Sequence, residues 1–156
     1  MAQLPAKPPV VIRNNRAHHE YTIEDTLEAG LVLQGTEIKA IRQGKANIAD
    51  SFVRFDKGKP WLWNAHIEEY QQGGKHFNHV PKRPRLLLLN RQQINRLSAI
   101  VAQQGYTLIP LRIYFKKALA KVAIAVCKGK QLHDKRQALK AKEAQRQVDR
   151  YVKYAR

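Results

Sequence analysis

The sequence predicts a mainly β protein with α-helical additions: a small closed antiparallel β-barrel with two to three helices, followed by a basic C-terminal tail. Three observations carry that prediction. Several short segments alternate apolar and polar residues with a period of two, as half-buried strands do. Only two body segments show helical spacing, and tight turns separate the strands, so repeated helical crossovers of an α/β sheet fit less well. After Gly129 the chain runs 27 residues without glycine or proline yet holds few large aliphatic side chains.

Taken in order, residues 1–13, "MAQLPAKPPVVIR", hold three of the seven prolines and are expected to be a flexible segment. In "EYTIEDTLEAGLVL", Tyr21, Ile23, Leu27, Ala29, Leu31 and Leu33 share one parity, which predicts a strand. Gly30 interrupts it, as a bend or bulge in a curved sheet would. "GTEIKAIRQG" predicts a two-turn helix, with Thr36 as N-cap, Ile38 and Ile41 on one face and Gly44 as the stop. "SFVRF" and "WLWNAHIEEY" read as strands joined by the turn "DKGKP", and residues 71–85 as a basic loop leading into "LLLL".

Asn90 and Gln93 form a capping-box pattern before Ile94, Leu97 and Val101, and Gly105 is expected to end that helix. The last two strands are "YTLIPLRIYF", where Ile109, Leu111, Ile113 and Phe115 alternate, and "LAKVAIAVCKG". In the second, Val122, Ile124 and Val126 face the core, so Lys121 projects away from it. Small barrels of the OB type are recurrent nucleic-acid platforms.

Charge narrows the function. The chain carries 29 Lys and Arg against 12 Asp and Glu, a net +17, whereas a small domain needs only about 2–8 for solubility. Residues 130–156 hold nine basic and three acidic side chains, so the excess is shared between tail and body. Both are expected to meet a polyanion. Membranes fit poorly, since the longest apolar run is six residues, Val122 to Cys127, against about 20 for a spanning helix. "VVI" is too short for a signal core. With one cysteine, Cys127, there is no disulfide framework. A cytoplasmic location follows.

Catalytic chemistry finds little support. His18, His19 and Glu20 are sequence neighbours, which along a strand would point to opposite faces. No Walker-type loop or Cys-x-x-Cys pair is present. His76 and His79 lie in the basic loop without cysteines, so no metal site and no cofactor are expected. Asp25 and Glu28 read as solvated carboxylates. RNA binding is better supported: Lys116, Lys117 and Lys121 surround Tyr114 and Phe115, and Lys82, Arg83 and Arg85 line the loop. Between Ala17 and Ile38 the sign inverts, with five acids and no Lys or Arg. Glu28 among them either pairs with a nearby lysine or accepts from a base edge; the residues alone leave both open.

The segments "AHHEYTIEDTLEAGLVLQGTEIKAIRQGKANIADSF", "RPRLLLLN", "GYTLIPLRIYF" and "GKQLHDKR" strongly resemble the SmpB family of SsrA-binding proteins, over nearly the whole chain from about Asn14. The resemblance implies an OB-type RNA-binding barrel over 14–129 and a tail over 130–156, disordered when free and helical on the ribosome. It implies a monomer, not an enzyme, that binds the tRNA-like domain of transfer-messenger RNA and delivers it to stalled ribosomes for trans-translation. Elongation factor Tu would be met indirectly through the charged RNA. The RNA-contacting positions of the family match at Glu28, Leu88 and Lys121: a base-edge acceptor, an apolar contact and a phosphate ligand. Its decoding-centre tail residues match at Gly129, Lys130, His133, Asp134, Lys135 and Arg136. One departure is Gln131, where the family usually has a second lysine, which removes one possible phosphate contact.

The tail itself shows a narrow stripe, Ala141, Ala144, Val148, Tyr151 and Ala155. Burying alanines yields little at ~25 cal/mol per Å², against about 1–2 kcal/mol per residue for ordering the backbone. Order is therefore expected only where phosphate neutralises the tail.

Overall fold

The structure, a computed structural model, describes residues 9–130 and 132–154, the side chains of 132–135 and of Tyr154 excepted. The chain forms β1 (Ile12–Arg13), α1 (Ala17–Glu20), β2 (Tyr21–Leu31), α2 (Gly35–Arg42), β3 (Ala46–Asn47), β4 (Phe52–Asp56) and β5 (Lys59–Trp63). It continues through β6 (His66–Ile67), β7 (Arg85–Leu88), α3 (Arg91–Val101), β8 (Tyr106–Lys116), β9 (Leu119–Gly129) and α4 (Leu132–Tyr154). Seven strands pair in the order β1-β8-β4-β5-β7-β2-β9, and β9 pairs with β8 as well, so the pairings lead back to β8. The fold is thus mainly β with several helices.

Inside lie Ala29 and Leu31 of β2, Val53, Leu62 and Leu87, Ile113 of β8, and Val122, Ile124 and Val126 of β9, with Ile41 of α2 and Leu97 of α3. Each fully buried aliphatic side chain contributes roughly 1.5–3 kcal/mol. The capping box of α3 is present: Gln93 N donates to Asn90 Oδ1 at 2.8 Å, and Asn90 N to Gln93 Oε1 at 3.2 Å. That helix ends at Val101, before Gly105 turns the chain at φ +90°.

Several expectations shift by a residue or two, for local reasons. The N-cap of α2 is Gln34 rather than Thr36; its amide donates to Glu37 Oε1 at 2.8 Å. "WLWNAHIEEY" is not one strand, because Asn64 takes φ +63° and donates to Asp50 O at 3.1 Å, which separates β5 from β6. Ile12 and Arg13, expected to be loose, pair with Ile113 and Arg112 because Ile12 is apolar enough to be buried; residues 1–8 of that flexible segment lie outside the described residues. "AHHE" is a helical turn, not a strand, with Ala17 buried and both histidines exposed.

The largest correction concerns β2 and β8. The interruption in β2 falls between Ile23 and Asp25, not at Gly30, and β8 has a matching irregularity between Pro110 and Arg112. An extra residue flips the side-chain parity beyond it. Tyr21, Ile23, Ile109 and Leu111 therefore face outward, where they pack with Ala125 and Cys127 in a second cluster beneath Ala17 of α1. Leu27, Ala29, Leu31, Ile113 and Phe115 belong to the main core. β9, paired along its length with both, needs no such irregularity.

The basic loop is also less basic than it reads. Arg85 and Glu37 are fully buried and paired with each other. Arg85 also donates to Ala65 O at 2.7 Å and Pro81 O at 3.0 Å, and Arg83 Nε to Glu37 Oε1 at 3.1 Å. Burial would raise the Glu37 carboxyl, but the hydrogen bonds from Arg83, the Gln34 amide and Arg85 outweigh it and hold Glu37 below the usual range. Arg85 is thus structural and unavailable to phosphate. His79 is buried rather than solvated, with Nδ1 2.9 Å from Thr36 Oγ1 and Nε2 2.9 Å from Ile67 O.

Candidate nucleic-acid interface

Beyond the two irregularities, the outer face of β7, β2, β9 and β8 presents Leu88, Glu28 and Arg112 to solvent. Register assembles one row across it: Leu88 of β7 stands opposite Gly30 of β2, Gly30 opposite Lys121 of β9, and Lys121 opposite Tyr114 of β8. At about 4.8 Å per strand the row spans roughly 14 Å. One step along lies a second row, Glu28, Ala123 and Arg112. The three body residues singled out from the sequence, Glu28, Leu88 and Lys121, are therefore brought onto one face by three strands, β2, β7 and β9.

Gly30 makes the row possible. A Cβ there would sit 3.1 Å from Leu88 Cβ, so the glycine lets the leucine side chain lie over β2. The space beside Gly30 is filled by Leu88. Leu88 is 57% exposed although Leu87 beside it is buried, so the four-leucine run presents this one member to solvent. Lys121 is half-buried and on the face opposite Val122, as its parity predicts.

Glu28 is the acid in this basic setting. Tyr114 Oη donates to Glu28 Oε2, and Lys116 Nζ lies 3.9 Å from Glu28 Oε1. The Tyr114 hydrogen bond, with the charges of Lys116, Lys121 and Arg112, outweighs desolvation and holds the Glu28 carboxyl below its ordinary value. Burial, then the bond to Glu28, pushes the Tyr114 phenol up to about 12. The Arg112 guanidinium stacks on the Tyr114 ring at 5.4 Å. Between them Thr26, Leu27, Glu28, Leu111, Arg112, Tyr114 and Ala123 line a cleft of about 250 Å³. An ionised acceptor, an aromatic platform and three cations around a shallow cleft can hold a base edge and its phosphates.

Two other acids of β2 and α2 have their own partners: Asp25 pairs with Arg96, and Glu37 is buried with Arg85. The open choice for Glu28 resolves as a pairing that still leaves its carboxylate exposed. Arg112 was not singled out from the sequence. Its alternation with the core residue Ile113 was the available signal that it faces outward.

At the far end of β9, Gly129 pairs with Tyr21. Lys130 is tied twice to α1: its amide donates to Glu20 O and its Nζ to His18 O, both at 2.9 Å. Arg136 is exposed on α4. Gln131 and the side chains of His133, Asp134 and Lys135 lie outside the described residues. The tail, expected to be ordered only on a partner, is helical from Leu132 to Tyr154, since its Ala, Lys, Gln and Arg content favours helix without a core. Every described side chain from Arg136 to Lys153 is exposed except Ala138, which is half-buried.

A family model described as SmpB protein matches residues 11–154. The chain belongs to the SmpB family. Among its relatives, the SsrA-binding protein of Geobacillus kaustophilus is 52% identical over 141 residues, 90% of each chain. That of Shouchella clausii is 52% identical over 144 residues, 92% of each. That of Chloroflexus aurantiacus is 49% identical over 149 residues, 96% of this chain and 93% of the relative. A solved chain reported under "tmRNA-SmpB: a journey to the center of the bacterial ribosome" is 41% identical with a TM-score of 0.67, covering 83% of this chain and 94% of that one. Among the described residues no helix is long and apolar enough to cross a membrane, and no group of three or more His, Cys, Asp or Glu could hold a metal ion.

Proposed function

We propose that this protein binds the tRNA-like domain of transfer-messenger RNA (SsrA) and delivers it to stalled ribosomes for trans-translation, without itself making or breaking a bond. The observation that carries the reading is the convergence of Glu28, Leu88 and Lys121 on one face of a chain that belongs to the SmpB family. In this reading Lys121 neutralises a phosphate, Leu88 lies against the RNA as an apolar contact, and the Glu28 carboxylate accepts from a base edge. The pairing circuit through β8, β4, β5, β7, β2 and β9 is read as an OB-type closed barrel over residues 14–129.

Residues 130–156 then form the second functional part. Gly129 and Lys130 make the junction; His133 stacks on a ribosomal base, Lys135 and Arg136 grip phosphate, and Asp134 stands between them in the decoding centre. The helix beyond occupies the empty mRNA channel. So exposed a helix is marginal in the free protein and becomes fixed when many cations gain phosphate together. The protein acts in the cytoplasm as a monomer, with elongation factor Tu reached only through the charged RNA. The test is a titration with transfer-messenger RNA against an elongator tRNA and an unstructured RNA of equal length. Clear preference for the first, with recovery of peptide tagging in a reconstituted translation system, is the expected result; equal affinity for all three overturns the reading.

A further inference from the structure

The loop from Lys75 to Lys82 is not used by the face described above, and its architecture is unusual for a connecting loop. Its middle is locked. The Asn78 side chain accepts from Tyr70 N at 2.9 Å and donates to Tyr70 O at 2.8 Å and Gly74 O at 3.1 Å. His79 next to it is buried between Thr36 and Ile67. On either side of these two anchors the chain presents Phe77, 82% exposed, and Val80, 67% exposed, to solvent. Burial of a phenyl ring is worth several times the effect of most surface residues, so leaving one outside on a pinned loop is costly for solubility and does nothing for the core. The exposed neighbours are Lys75, His76 and Lys82, and no acid occurs between Gln71 and Arg85.

An aromatic ring held out among cations, without acids, has the chemistry of a single-stranded nucleic-acid contact. Stacking on a base needs only a π-face, and the adjacent charges take the flanking phosphates. A protein partner would be favoured by a broader apolar patch, whereas here the apolar tip is small and ringed by positive charge. The loop runs into β7 at Arg85, and Leu88 of the Leu88–Lys121 row ends that strand. We propose that this loop is a separate binding site for unpaired RNA, in which Phe77 stacks on one base and Lys75 and Lys82 contact the neighbouring phosphates. The proposal rests on the RNA-binding reading but not on which RNA the Glu28–Lys121 face selects.

The test uses the full chain and a labelled single-stranded RNA of eight uridines at moderate salt. Phe77→Ala and Phe77→Leu should each weaken binding by roughly 5- to 100-fold, because leucine keeps apolar bulk but lacks the π-face, while Phe77→Tyr retains it. Phe77→Trp should show indole quenching on saturation beyond that of the wild-type chain. Phe77→Ala should leave the preference for transfer-messenger RNA over elongator tRNA in place, so the two readings fail separately. Unchanged oligonucleotide affinity in a folded Phe77→Ala protein overturns the proposal, as does a Phe77→Leu protein that binds like wild type. Loss of ribosome association by Phe77→Ala without loss of oligonucleotide binding overturns it in favour of a protein partner.

Discussion

Tyr114 donates its phenolic proton to the carboxylate of Glu28 across the intervening strand β9, above the small side chain of Ala123. The bond fixes one carboxylate oxygen and leaves the other toward Lys116 and solvent. Tyr114→Phe is expected to raise the Glu28 pKa toward the ordinary range, followed by carboxyl-carbon NMR, and to weaken transfer-messenger RNA binding about five-fold. The sign follows from the depressed value: Glu28 is charged throughout neutral pH and loses its charge only as pH falls through a value below its ordinary one. The phenol, raised to about 12, stays protonated across the same window.

Lys121→Ala should weaken the same RNA roughly ten-fold and lower the slope of log affinity against log salt by about one. A titration series over salt reads both numbers. An unchanged slope removes Lys121 from the phosphate contacts.

Truncation before Asp134 should spare affinity for transfer-messenger RNA, since the Leu88–Tyr114 row lies wholly in the body, and should abolish tagging of stalled peptides. Binding and tagging measured on the same preparation separate the two roles. Normal rescue by the truncated chain would rule out the tail assignment.

Arg85→Ala leaves Glu37 buried without its fully buried partner and should cost about 3–5 kcal/mol, seen in urea unfolding. Because the Glu37 carboxyl is held below its unfolded value, its contribution is present above the ordinary carboxylate range and is lost as pH falls through the folded value. Wild-type stability should therefore drop steeply in acid, and the drop should be shallower in the variant.

The β8–β9 turn is made by Lys117 and Ala118 at φ +49° and +64°, without a glycine. An L-residue there costs roughly 1–2 kcal/mol, partly offset by the greater freedom of glycine in the unfolded chain. Ala118→Gly should stabilise by about 0.5–1 kcal/mol in thermal melts.

Much of this was legible beforehand because it depends on local chemistry. The Asn90 and Gln93 cap, the strand parity that turns Lys121 outward and the glycine stops all follow from neighbours within a few residues. What escaped depends on long-range pairing. An inserted residue near Glu24 or at Leu111 leaves no compositional mark, yet it sends Ile23 and Ile109 to the opposite face. Arg85 and His79 looked like solvated loop residues because Glu37 and Thr36, which claim them, are more than forty positions away. Leu88 was identifiable by resemblance alone; its exposure depends on Gly30 across the sheet, a relation invisible along the chain.

The double attachment of Lys130 to the backbone of α1 has a mechanical consequence. A 23-residue helix extends about 35 Å from that anchor, so a swing of ten degrees at its base moves the tip by roughly 6 Å, about the length of one nucleotide step. Two hydrogen bonds on a four-residue turn, whose first residue is the buried Ala17, thus hold the chain two residues before the longest helix among the described residues.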